Sequence, residues 1–195
     1  RHDGAGTDSG MVRVFSGLDG AVLHGISGAT SGDDFGRSVA GVGDVNGDDF
    51  DDFVVGAPGA GPGFSRGQVR VFSGQDGAAL FTFDGVNDFD QRGWSVSGAG
   101  DVNGDGTPDL VYGTPNAMGS GSAEVRSGLD GSLIHTVVGH GTSASLGRSV
   151  AGGGDVDGDG FADVIVGDHL ASGTLGEVWI VSGRDGSTIS QVTGG

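Results

Sequence analysis

The sequence predicts an all-β chain whose short strands form four-stranded antiparallel sheets, stacked face to face as the blades of a β-propeller. Three observations predict it. A set of markers recurs about every 55 residues from one end of the chain to the other, the pattern of a repeat architecture. The apolar segments are short, rich in valine and bounded by Gly, Asp and Asn, which favours strands joined by tight turns. Glycine makes up 45 of 195 residues, about three times the usual share. It lacks the period of three that collagen requires, and no ten-residue stretch carries a helical period.

The repeat is legible at three markers. The most informative is a nine-residue acidic stretch, Asp44-Val-Asn46-Gly-Asp48-Asp-Phe50-Asp-Asp52. It returns as Asp101-Val-Asn103-Gly-Asp105-Gly-Thr107-Pro-Asp109 and as Asp155-Val-Asp157-Gly-Asp159-Gly-Phe161-Ala-Asp163. A second marker, Ser-Gly-x-Asp-Gly, stands at 16–20, 73–77, 127–131 and 182–186. A third precedes each acidic stretch: Phe35-Gly-Arg-Ser-Val39, Arg92-Gly-Trp-Ser-Val96 and Leu146-Gly-Arg-Ser-Val150.

Within one unit the first strand is expected over Gly36–Val42, small enough in its side chains to pack closely at the centre of the stack. The acidic stretch then turns into a second strand, Phe53–Gly56, with counterparts Leu110–Gly113 and Val164–Gly167. A loop that differs in every unit follows (57–66, 114–122, 168–176). The third strand is Gln68–Phe72, with counterparts Glu124–Arg126 and Glu177–Val181. The Ser-Gly-x-Asp-Gly marker is a hairpin turn, its last Gly able to take positive φ. The fourth strand is Ala79–Phe83, with counterparts at 133–137 and 188–192. Ahead of these units, Met11–Phe15 and Ala21–Ile26 read as the last two strands of another. A lone sheet of this kind cannot bury both faces, and radial stacking buries them.

The acidic stretches predict three calcium sites. Side-chain oxygens recur at positions 1, 3, 5 and 9 and Gly at position 4, and position 7 supplies a backbone carbonyl. That is the oxygen shell a hard cation takes. The expected ligands are Asp44, Asn46, Asp48, Phe50 and Asp52; Asp101, Asn103, Asp105, Thr107 and Asp109; and Asp155, Asp157, Asp159, Phe161 and Asp163. The spacing resembles the first half of an EF-hand loop, without its Glu at position 12 and without a following helix. An Asp- and Gly-rich turn needs no metal as such. However, two carboxylates about 4 Å apart repel by about 4 kcal/mol at an effective dielectric near 20, so converging oxygens call for a cation.

Phe35-Gly36, the acidic stretch and Gly56-Ala57-Pro58 together resemble the FG-GAP repeat of integrin α-subunit propellers and of many bacterial surface proteins. The second unit keeps Arg92-Gly93 and Gly113-Thr-Pro115. The third keeps Leu146-Gly147 but has Gly167-Asp-His169, the largest departure. The resemblance implies that the acidic stretch joins the first two strands of a blade and holds calcium there. It also implies a propeller of about seven blades. The chain itself divides into a half blade at 10–30 and blades at 31–86, 87–141 and 142–195. Such a segment is expected to belong to a longer propeller, or to be completed by other copies through its open sheet edges.

Composition narrows the function. The net charge is −17, and of the 26 acidic residues only Glu124 and Glu177 are glutamate. Nine scattered basic residues exclude phosphate-driven nucleic-acid binding. There is no cysteine and no apolar run of membrane-spanning length. Calcium loops of modest affinity fill where calcium is millimolar, which points outside the cell or to its surface.

A carboxylate pair for glycoside hydrolysis has no reason to be triplicated, and the five His residues have no metal spacing, so no enzymatic activity is expected. The expected role is adhesion or structural assembly, with a protein or glycan ligand at the variable loops or self-association at the sheet edges. A lectin-like module, a filament subunit and an accessory domain of a secreted enzyme are the alternatives. Phe64 is the best contact residue. Trp179 is expected in the core, and Arg37 and Arg148 are expected to pair with a nearby Asp.

Overall fold

The computed structural model describes residues 7–140, 145–171 and 175–195. Among them are fourteen strands. The first two, β1 (Met11–Phe15) and β2 (Val22–Ser27), form a two-stranded antiparallel sheet. Three four-stranded antiparallel sheets follow, each in simple sequential order. They comprise β3 (Ser38–Gly43), β4 (Asp52–Ala57), β5 (Gln68–Phe72) and β6 (Ala79–Asp84); then β7 (Ser95–Gly100), β8 (Asp109–Thr114), β9 (Ser122–Arg126) and β10 (Leu133–Val138); then β11 (Ser149–Gly154), β12 (Asp163–Asp168), β13 (Glu177–Val181) and β14 (Thr188–Thr193). The first strands β3, β7 and β11 adjoin one another, so the sheets are blades of a β-propeller with these strands innermost.

Several strand ends lie one or two residues from the sequence expectation, and two of these shifts have a local reason. The first strand of each full sheet starts at Ser38, Ser95 or Ser149 rather than at the preceding Gly. Gly36, Gly93 and Gly147 all take positive φ, which a continuing strand does not. In the middle sheet β9 begins at Ser122, because Ser122 still pairs with Thr114 and Val138. A short 3-10 turn, Ala117–Gly119, interrupts the loop before it.

The core lies between consecutive sheets. Val12 and Ile26 of the two-stranded sheet meet Phe35, Val55 and Phe72. Val54, Val69 and Val71 meet Leu110 and Tyr112. Val111, Ala123 and Val125 meet Val164, Val166, Trp179 and Val181. Trp179 is therefore core, as expected.

A glycine frame sets the distance between sheets. The N–H groups of Gly36, Gly93 and Gly147 donate to the carbonyls of Gly56, Gly113 and Gly167 within the same unit, at 3.0–3.1 Å. The Gly93 and Gly147 carbonyls in turn accept the hydroxyls of Ser38 and Ser95 from the preceding unit, at 2.9 and 2.8 Å. A Cβ on Gly56 or Gly113 would lie 1.9 or 1.8 Å from that carbonyl oxygen, so only glycine admits the contact.

The register fixes which loops share an end of the blades. Ser38 pairs with Gly56 and Ala57 with Gln68. The acidic stretches and the Ser-Gly-x-Asp-Gly turns therefore lie at one end. The variable loops and the links between sheets lie at the other.

Candidate metal centres

The three acidic stretches connect β3 to β4, β7 to β8 and β11 to β12, and they fold the same way. The first Asp turns both carboxylate oxygens inward. Asp44 Oδ1 accepts the N–H groups of Gly47 and Asp48, and its Oδ2 accepts that of Asp49. Asp101 and Asp155 repeat the set. Gly47, Gly104 and Gly158 take positive φ at position 4, which turns the chain around that carboxylate. The N–H groups of Phe50, Thr107 and Phe161 donate to the carboxylates at position 5, at 2.8–3.0 Å. This fixes the peptides at position 7.

The last Asp does something the sequence did not announce. Asp52 is buried, and its Oδ2 accepts Val45 N–H at 2.9 Å while its Oδ1 accepts Gly74 N–H at 2.9 Å. Gly74 belongs to the Ser-Gly-x-Asp-Gly turn. Asp109 bridges Val102 and Gly128, and Asp163 bridges Val156 and Gly183. Each position-9 carboxylate thus buckles the acidic loop to the outer hairpin of its own blade. Each oxygen keeps a further lone pair for a cation.

The loops differ at position 3. Asn46 and Asn103 each donate Nδ2–H to the carboxylate of Asp48 and Asp105, at 2.8 Å. Asp157 has no such proton, and ligand oxygens of Asp155, Asp157 and Asp159 all lie within 4.8 Å of one another. Loss of water around it, followed by repulsion from Asp159, Asp163 and Asp155, raises the Asp157 carboxyl above its ordinary value. Burial raises Asp52 and Asp109 despite their two backbone donors. For Asp44 burial acts upward as well, but four backbone donors outweigh it and lower the carboxyl.

The donor set is entirely oxygen, and it carries a repulsion that the chain itself leaves unrelieved in the third loop. It fits a hard divalent cation. The fifteen residues named from the sequence lie in three such loops.

At the opposite end of the blades, Phe64 is 67% exposed and stacks parallel on Phe89, itself 61% exposed, with ring centroids 5.7 Å apart. Phe89 was not foreseen, because its loop carries no repeat marker. Arg37 and Arg148 are not paired with a carboxylate among the described residues, contrary to expectation. Instead both guanidinium groups lie over Trp94, at 4.3 and 4.0 Å from the ring centroid. His24 and His135 are also explained: each ring Nε2 meets a carbonyl in the hairpin turn of the next unit, Gly74 or Gly183.

The FG-GAP repeat profile matches residues 35–72, 92–126 and 146–181, more than half the chain. Similar proteins include integrin alpha-V of Gallus gallus, 34% identical over 161 residues, covering 76% of this chain and 15% of that protein. Integrin alpha pat-2 of Caenorhabditis briggsae is 34% identical over 154 residues, 65% of this chain and 12% of that protein. Integrin alpha-5 of Xenopus laevis is 29% identical over 185 residues, 85% of this chain and 18% of that protein. The chain thus spans 12–18% of the length of these relatives.

Proposed function

The chain belongs to the FG-GAP repeat family, and on that premise we propose that it is a calcium-binding, extracellular propeller module serving adhesion or structural assembly, with no enzymatic activity of its own. The observation that carries the calcium reading is the threefold recurrence of one acidic loop with one hydrogen-bond pattern, sharpest where Asp155, Asp157 and Asp159 converge. The residues that would hold the ions are the side chains at positions 1, 3, 5 and 9 of each loop and the carbonyls of Phe50, Thr107 and Phe161. A bound calcium supplies positive charge and cross-links the first and second strands of a blade. The protein's own part is to aim the oxygens through backbone N–H groups and to lock each loop to the outer hairpin through Asp52, Asp109 and Asp163.

We divide the chain into a half blade (10–30) and blades 31–86, 87–141 and 142–195. No helix among the described residues is long and apolar enough to cross a membrane, and the relatives are integrin α chains by name, which supports a place at or outside the cell surface. Isothermal titration with calcium, followed by thermal melts with and without chelator, tests the reading. Three sites and a stabilisation of about 1.4 kcal/mol per site at tenfold excess over Kd are expected. An unchanged melt and no binding heat at millimolar calcium would remove the calcium reading.

The exposed Phe64–Phe89 stack favours a ligand contact at the variable-loop end, either a protein or a glycan. Loss of glycan-array signal in Phe64→Ala would select the lectin-like form. Filaments of purified chain in the electron microscope would select assembly through the sheet edges.

A further inference from the structure

The residue that follows the frame glycine is different in chemistry from its surroundings. It is Arg37 in the first full unit, Trp94 in the second and Arg148 in the third. Each sits immediately before an innermost strand, and three successive blades bring them together, with both guanidinium groups over the one indole. Arg37 and Arg148 are exposed, and Trp94 is partly buried between their blades.

The chain holds 26 acidic residues against nine basic ones, so carboxylates are abundant. Yet neither arginine is paired with one among the described residues. Arg70 and Arg184 also lie over aromatic rings, but singly. Arg92 and Arg126 converge too, on Glu124, which pairs with both. Arg37 and Arg148 converge on an uncharged ring and leave their charge unanswered.

The nearby carboxylates are engaged elsewhere or stand aside. Asp168 Oδ1 accepts the N–H groups of Ser145, Leu170 and Ala171. Glu177 accepts from Trp179 and Gln191. Asp34 shares the hollow beside Arg37 without pairing with it.

We propose that Arg37, Trp94 and Arg148 form a carboxylate-binding site that takes one Asp or Glu side chain presented by a protein partner. Stacking on an indole holds a guanidinium plane while leaving its edge N–H donors free. Two such groups on one ring are preorganised forks for an oxyanion, with little ordering left to be done on binding. Their mutual repulsion is relieved by one negative charge. The charge of −17 on the chain repels a polyanion such as a sulfated glycan, whereas a single carboxylate on a loop tip meets only the local field. This rests on the reading of the variable-loop end as the contact face, but its test needs no partner.

The test is a heteronuclear NMR titration of the calcium-saturated 195-residue chain with a capped Gly-Asp-Gly peptide. The Trp94 indole N–H and the Arg37 and Arg148 Nε–H signals are expected to move saturably, in the millimolar range, and a capped Gly-Asn-Gly peptide is expected to leave them still. R37Q/R148Q should lose the response at least tenfold. R37K/R148K should lose part of it, since lysine keeps the charge but not the planar fork. Equal response to the Asn peptide, or a response surviving in R37Q/R148Q, overturns the site. Wild-type binding by R37K/R148K overturns the fork geometry. Tighter binding of a heparin-type oligosaccharide at the same three residues overturns the choice of a protein carboxylate. Because calcium is held saturating, loss of the calcium reading shows separately, as an unchanged melt.

Discussion

The interface between the first and second full sheets and that between the second and third share one backbone and both bury a valine-rich cluster, but the positions beside it are filled in opposite ways. Between the second and third, Leu146, Val166 and Val181 are fully buried against Val111 and Val125. At the matching places on the second sheet stand Arg92, Tyr112, Glu124 and Arg126. Arg92 Nη2 donates to Glu124 Oε1 at 2.8 Å and Arg126 Nη2 to Oε2 at 2.5 Å. Tyr112 donates its hydroxyl proton to Glu124 Oε2 at 2.7 Å and accepts from Arg92 Nη1 and Arg126 Nε. Phe83 of the first sheet closes over Tyr112 and Arg126.

Burial alone would raise the Glu124 carboxyl. The Arg92 charge, with hydrogen bonds from Arg126 and Tyr112, outweighs it and holds the carboxyl below its ordinary value. The cluster is not fully satisfied, since Arg92 Nε is buried without a partner. The contrast teaches that the spacing of these blades is set by the glycine frame, which is the same at both interfaces, and not by what fills the space beside it. A charged network fits where an apolar cluster fits because both occupy a slot whose width is already fixed.

The largest effect should come from breaking what the two interfaces have in common. Gly113→Ala forces a Cβ against the Gly147 carbonyl, and a loss on the order of 5 kcal/mol, or failure to fold, is expected. Gly41→Ala has open space at ordinary φ and should leave the melt within about 1 kcal/mol of wild type. Similar melts for the two variants would mean that the frame is not what sets the spacing.

Breaking only the charged interface should cost somewhat less. Glu124→Ala strands two guanidinium groups and should lose about 3–5 kcal/mol, whereas replacing Arg92, Tyr112, Glu124 and Arg126 together by Leu, Phe, Val and Val, so that no hydroxyl is left unpaired, should be neutral or stabilising by about 1–4 kcal/mol. Urea unfolding distinguishes the two. A quadruple variant as unstable as Glu124→Ala would show that the network, and not the slot, organises this interface.

Acid sharpens the same contrast. Because the folded-state pKa of Glu124 is lowered, its contribution is complete above its ordinary value near 4.5 and is lost as pH falls through the folded value. Wild-type stability should therefore drop more steeply than that of Glu124→Gln as pH falls below about 4.5. Parallel curves would contradict the assignment.

The smallest effect concerns the third acidic loop, where Asp157 replaces an asparagine. With chelator present, Asp157→Asn should raise stability slightly, by removing repulsion and restoring the amide donor seen in the other two loops. With calcium it should weaken the third site several-fold, since ligand charge sets affinity. Calorimetry of the two proteins side by side reads both changes.

The acidic stretches, the hairpin turns and the four strands per unit could be read from the chain because each depends on residues close in sequence: alternation makes a strand, Asp and Gly make a turn, and a nine-residue spacing collects oxygens. The strands formed where valine-rich segments lie, with ends moved by one or two residues where a frame glycine turns the backbone. Contacts between residues far apart in the sequence were decided by the tertiary structure alone. Asp52 reaches Gly74 and Ser38 reaches Gly93 only because hairpins and neighbouring blades close over one another. Arg92 can stand where the first unit has phenylalanine because Glu124, thirty-two residues on, arrives beside it. Arg37 and Arg148, expected to find carboxylates, found Trp94 instead, because a partner is chosen by which blade lies next and not by which residue is common.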